Sequence, residues 1–120
     1  MPNVFMVLDR FVLLSGLSRE ESAAYLPVCS SALANILAHL KPGVDAEQHA
    51  EEIAHAAAAV AFYRFALISA AREEESFSAG NLTLRQDSEA KAQYARAVRD
   101  DALATLSDLA EDSGFLFGRM

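Results

Sequence analysis

Apolar residues are distributed unevenly along this chain. From Val4 to Leu14 they run almost without a break, as VFMVLDRFVLL, and only Asp9 and Arg10 interrupt them. Asn3 can cap a helix at that point. Gly16 followed by Leu17 suits a left-handed stop with an apolar contact behind it. The pattern predicts a helix over about residues 3–15. A surface helix buries one stripe against its neighbours. A helix that is apolar on several sides, as this one is, needs a deeper core or a second subunit.

A second helical stretch opens at Ser18, where Glu21 three residues later completes a capping-box signature. Leu26, Cys29, Leu33, Ile36 or Leu37, and Leu40 then recur at helical spacing until KPG ends the run. Pro27 lies inside it. A proline removes a backbone donor and clashes with the preceding turn. Either a kink follows, or a short helix ends near Tyr25 and a new one starts at Pro27. A third stretch begins at Asp45, with Gln48 at the reciprocal capping position, and runs to about Glu75 without proline or glycine. At 1.5 Å per residue this is a rod of roughly 45 Å, the expected spine of the fold. Ile53, Ala57, Val60, Phe65, Leu67 and Ile68 form its apolar stripe, and AHAAAAVA (54–61) offers small side chains for close helix approach. Arg64, amid Phe62, Tyr63 and Phe65, reads as an arginine that snorkels to the surface.

A last helix is expected from Asp87 or Ser88 to about Ala110, with Tyr94, Val98, Ala102, Leu106 and Leu109 facing inward. Between the third and fourth stretches the period changes. Phe77, Ala79, Leu82 and Leu84 flank Gly80-Asn81, a pair that tolerates the positive φ of a two-residue hairpin turn. The segment is either a short hairpin with open edges or an ordered loop whose Phe77 and Leu82 plug the core. Phe115, Leu116 and Phe117 form an apolar cluster that should dock on the core or on a partner. The fold class expected is all-α: a single helical domain over 1–120, with about four helices, one long central helix, and a short β-hairpin or extended loop near 76–85.

Composition and charge narrow the function. One hundred and twenty residues suffice for one core, and 52% hydrophobic content fills it without staples. Ten basic residues against seventeen acidic ones, a net charge of −7, disfavour a general nucleic-acid binder, which must displace phosphate counterions. No basic recognition helix stands out, so sequence-specific DNA reading is not expected. Cys29 is the single cysteine and has no internal disulfide partner, which suits a reducing compartment and a buried apolar role. The first helix lacks a basic leader, contains charges and is too short to span a bilayer, so neither a signal peptide nor a membrane span is expected.

Chemistry is sparse. Among His39, His49 and His55, only His55 completes a Glu-x-x-His pair, with Glu52. A di-iron bundle needs a second such pair and two more carboxylates, so Glu51, Glu52 and His55 read as a solvated face. Lone Cys29 and the scattered histidines lack zinc spacing. No nucleophile elbow, P-loop or dinucleotide fingerprint occurs. No catalytic residue, metal or cofactor is expected.

The order of parts carries a resemblance. A capped helix, a long Ala-rich helix with AFYRFAL, the excursion FSAGNLTL and a last helix AQYARAVRDDALATL together resemble small all-α, prophage-encoded phage head–tail connector (adaptor) proteins, over about residues 18–110. The apolar first helix and GFLFGRM depart from that layout. The resemblance implies a structural, non-enzymatic ring subunit that joins portal to tail, a homo-oligomer with portal and tail proteins as partners, in the host cytoplasm or the virion. The residues expected at its oligomer interface are Val4, Phe5, Leu8, Phe11, Phe77, Gly80, Asn81, Leu82, Leu84, Phe115 and Phe117. The alternatives are a helical-bundle interaction or regulatory protein, or a metal-binding bundle centred on Glu51, Glu52 and His55.

Overall fold

The computed structural model describes the backbone of residues 2–76 and 82–110, and the side chains of 2–72 and 89–110. Five α-helices follow one another: α1 Val4–Ser15, α2 Arg19–Ala23, α3 Leu26–Ala38, α4 Ala50–Ser76 and α5 Leu82–Thr105. The fold is all-α, with no strand among the described residues. The expected second helix is two. Pro27 occupies the first turn of α3, where its missing N–H is not needed, so the chain breaks at Tyr25 instead of bending.

Local chemistry accounts for most helix ends. Asn3 accepts from the backbone N–H groups of Phe5 and Met6, and Gly16 closes α1 in the left-handed conformation at φ 73°. Ser18 and Glu21 make both halves of the capping box that starts α2. Asp45 behaves differently from expectation. Its side chain accepts from Glu47 N at 2.9 Å, residues 46–49 form turns, and α4 starts at Ala50. The Asp side chain satisfied a local turn in preference to a helix N-terminus.

α4 is the spine. It packs against α5 most extensively and against α1 and α3 as well. From Ile53 to Phe62 every residue except the half-buried His55 is buried. A helix apolar all round belongs in the middle of a core. Ala50–Arg72 is long and apolar enough, by length and composition, to cross a bilayer, and 56% of its most apolar window is buried inside the bundle. Alanines at 54, 56, 57, 58, 59 and 61 let three neighbours close on α4 at once. Val7, Leu8 and Phe11 of α1, Cys29, Leu33 and Ile36 of α3, and Ala102, Leu103 and Leu106 of α5 fill the remaining space. An aromatic cluster pins the junctions: Phe11, Tyr25 and Phe65 meet with ring centroids 5.0–5.8 Å apart, two of the three pairs edge-on. At the far end, Lys41 N donates to Leu109 O at 2.8 Å, and Leu40 pairs with Ala110 in an isolated antiparallel bridge.

Two further expectations are corrected. The hairpin's second arm is helix, since α5 begins at Leu82 and so includes Leu84, several residues before Asp87. An isolated two-stranded hairpin is marginal, whereas a helix extended along α4 makes its own backbone bonds. The first arm and turn, Phe77–Asn81, lie outside the described residues. On α5 the inward stripe departs from expectation at its first position. Ala102 and Leu106 are buried and Val98 and Leu109 pack against the core as expected, Ala95 and Arg99 are buried as well, and Tyr94 is 63% exposed.

The alanine seam yields a direct expectation. Ala57→Leu inserts volume where three helices meet and lowers stability by about 1–3 kcal/mol. Ala71→Leu, at an exposed position of the same helix, changes it by about 0.5 kcal/mol or less. Urea midpoints of the two variants measure the difference.

Candidate functional site

The clearest surface feature is apolar. Phe5 and Leu13 stand 63% and 79% exposed on the outer side of α1. Asp9 lies between them at four-residue spacing, and its carboxylate accepts from Arg19 at the start of α2. Leu67 of α4 is also exposed, at 44%. Next to the end of α1 a groove of about 350 Å³ opens between α4 and α5. Leu14 and Ser15, Phe62, Phe65, Ala66, Ser69 and Ala70 of α4, and Lys91 and Tyr94 of α5 line it. Tyr94 packs edge-on with Phe62 at 6.3 Å while most of its side chain meets solvent. Among the described residues, the groove is a largely apolar trough with Lys91 as its one charged lining residue.

Of the residues expected at an oligomer interface, Phe5 is outward and Val4 half-buried, but Leu8 and Phe11 lie in the chain's own core. Leu8 and Phe11 are therefore corrected: they sit on the α1 face that packs on α4, four and seven residues from Val4. Leu82 and Leu84 belong to the first turn of α5. Phe77, Gly80, Asn81, Phe115 and Phe117 lie outside the described residues. The sequence signal for the true outer face is Asp9. A charge midway between Phe5 and Leu13 marks that stripe as the wet one.

A buried arginine escaped sequence reasoning. Arg99 is 3% exposed. Its Nη2 and Nε donate to Asp100 Oδ1 at 2.8 and 3.0 Å, and its guanidinium lies 4.4 Å from the centre of the Tyr63 ring. The planar cation thus bridges α5 to α4 through a ring face and keeps a carboxylate at hand. Its spacing from Ala95, Ala102 and Leu106 (4, 3 and 7 residues) was the available signal. Arg64, by contrast, is half-buried and reaches α3, where Ser31 Oγ accepts from it at 3.4 Å.

The acidic and histidine residues at the start of α4 disperse. Glu51 pairs with Arg10 of α1. His49 Nδ1 lies 3.6 Å from Glu52 Oε1, beyond hydrogen-bond length, and His39 Nδ1 meets Asn35 O at 2.7 Å. Among the described residues, no group of three or more His, Cys, Asp and Glu is placed to hold a metal ion. Cys29 is fully buried on α3, and burial pushes its thiol up to about 11. The Ser22 hydroxyl, also fully buried, has no hydrogen-bond partner among the described residues. Comparison with protein-family models, curated proteins and solved structures finds no match to the chain.

Two measurements test this description. In a double-mutant cycle, Arg99→Met and Tyr63→Leu should couple by about 1 kcal/mol; additivity would remove the stacked contact. Cys29 should react with a thiol reagent at pH 8 on the order of 10²-fold more slowly in the native state than in urea. Because the unfolded thiol ionises near its ordinary 9.0 and the folded one near 11, this group's contribution is fully present below pH 9 and declines as pH rises from 9 through 11. Cys29→Ala should flatten that part of the stability profile.

Proposed function

We propose that the chain is a structural, non-enzymatic subunit that works as a homo-oligomer, in the manner of the phage head–tail connectors it resembles, which join portal to tail. The observation that carries this reading is the exposure of Phe5, Leu13, Leu67 and Tyr94 together with an apolar groove that Tyr94 lines. Scattered single apolar residues on a surface are ordinary, but several large ones on a chain that also carries an apolar trough point to contact surface. The shape supports the same reading. With extents of 53 × 31 × 17 Å the molecule is a thin slab, and α5 packs extensively on α4 alone while α1 and α3 cover α4. Copies set side by side would hide what one subunit leaves wet, and obligate contacts of this kind remove about 2,000 Å² or more from water.

The net charge of −7 fits this role. An acidic wall repels DNA, which suits passage through a ring and not retention on it. The work of such a subunit is surface burial, with portal and tail proteins as the end partners, in the host cytoplasm or the virion.

Light scattering across a concentration series tests the proposal. The expected outcome is a mass that rises from 12.9 kDa to a fixed multiple of it, with closed rings in electron micrographs. A mass of one chain at every concentration up to millimolar would overturn it.

A further inference from the structure

We infer that the groove between α4 and α5 receives the 111–117 segment (EDSGFLF) of a second copy of this chain, joining subunits head to tail. The inference rests on the homo-oligomer reading and names the contact that would build it. The groove has room for a few large side chains, its walls are Leu14, Phe62, Phe65, Ala66 and Tyr94, and among the described residues Lys91 is the one charged group that lines it. The chain supplies a matching ligand in sequence. Phe115, Leu116 and Phe117 give the apolar content, and Glu111 and Asp112, which shortly precede them, complement the charge of Lys91.

Reach favours a second copy as the donor of the segment. Ala110 is tied to Leu40 beyond the C-terminal end of α5, whereas the groove lies midway along α4 and α5. Sixteen residues separate Tyr94 from Ala110, and most of them are helical, which sets the two about 24 Å apart. Five residues from Ala110 to Phe115 span at most about 18 Å fully extended, and seven to Phe117 about 25 Å. Within one chain the rings of Phe115 and Phe117 reach the groove only when the intervening residues are stretched nearly to their limit. A neighbouring copy has no such limit. Because donor segment and acceptor groove are different parts of the subunit, the contact is heterologous, and repeating it closes a ring or extends a filament. Each contact alone is small. Closure makes the last contact intramolecular, so the assembled state is far tighter than a pair.

Complementation tests this. Phe115→Ala/Phe117→Ala keeps the groove and loses the ligand; Ala70→Trp fills the groove and keeps the ligand. Each alone should be monomeric where the unaltered chain assembles. Mixed at concentrations well above those at which the unaltered chain assembles, where one open contact suffices, they should form one-to-one dimers that grow no further, since one donor remains and one acceptor. Lys91→Glu should weaken assembly at least tenfold, and Glu111→Lys/Asp112→Lys in the same chain should restore it; this pair stands even if Ala70→Trp misfolds. Full assembly by Phe115→Ala/Phe117→Ala would overturn the inference and leave the oligomer intact. A monomeric mixture would overturn head-to-tail exchange. An unaltered chain that stays monomeric and loses thermal stability in Phe115→Ala/Phe117→Ala would place the segment on its own subunit and overturn the inference and the homo-oligomer together.

Discussion

Everything in this fold depends on how closely other helices can approach α4. Between Ile53 and Phe62 the helix shows almost nothing but alanine methyls, one valine and one phenylalanine to its neighbours, and all of these are buried. Small side chains bring backbones together, and dispersion across such seams is collectively large although each contact is weak. The cost is apolar area: an alanine buries little, so the larger residues of α1, α3 and α5 must supply most of what leaves water. Val7, Phe11, Ile36, Leu103 and Leu106 do so from three directions. With its bulk on the outer helices and its small residues at the centre, the bundle is thin, and the outer helices keep apolar residues on their far sides. The exposed Phe5 and Leu13 follow from that arrangement.

Much of this was legible in the sequence, because it depends on local chemistry. Asn3, Gly16 and the Ser18–Glu21 pair announce helix ends whose partners lie within three or four residues, and the structure places them as read. The all-α class and the long central helix follow from spacing alone. Local signals can also be ambiguous. Asp45 could serve a helix or a turn, and its side chain accepts from Glu47 N, two residues on, which makes it a turn. Thr83 and Leu84 carry strand propensity, yet propensity is a weak prior against a long helix with a neighbour to lie along. The α5 stripe was misread at Tyr94 and missed Arg99, because Tyr94 is apolar enough to invite burial and Arg99 is charged enough to forbid it. The structure reverses both by providing Arg99 with a Tyr63 ring and the Asp100 carboxylate.

The candidate site was legible in outline only. Asp9 marks the wet side of α1, and an apolar helix with excess surface implies something to cover it. The groove could not be foreseen, since Leu14, Phe65 and Tyr94 come from three helices and meet only through the tertiary fold. The ion pairs linking Arg10 to Glu51 and Arg19 to Asp9 are at the surface, where such pairs contribute little stability. Their effect is on register: they fix how α1 lies on α4 and α2, and so where Phe5 and Leu13 point.

The central claim is that the apolar side chains this subunit leaves in water are covered by other copies of it. Hydroxyl-radical footprinting read residue by residue, at concentrations below and above assembly, tests that claim most directly. Phe5, Leu13 and Tyr94 should lose most of their labelling as concentration rises, while the exposed Pro27, which does not line the groove, keeps its own. Labelling of those three residues that stays constant across the whole range would contradict it.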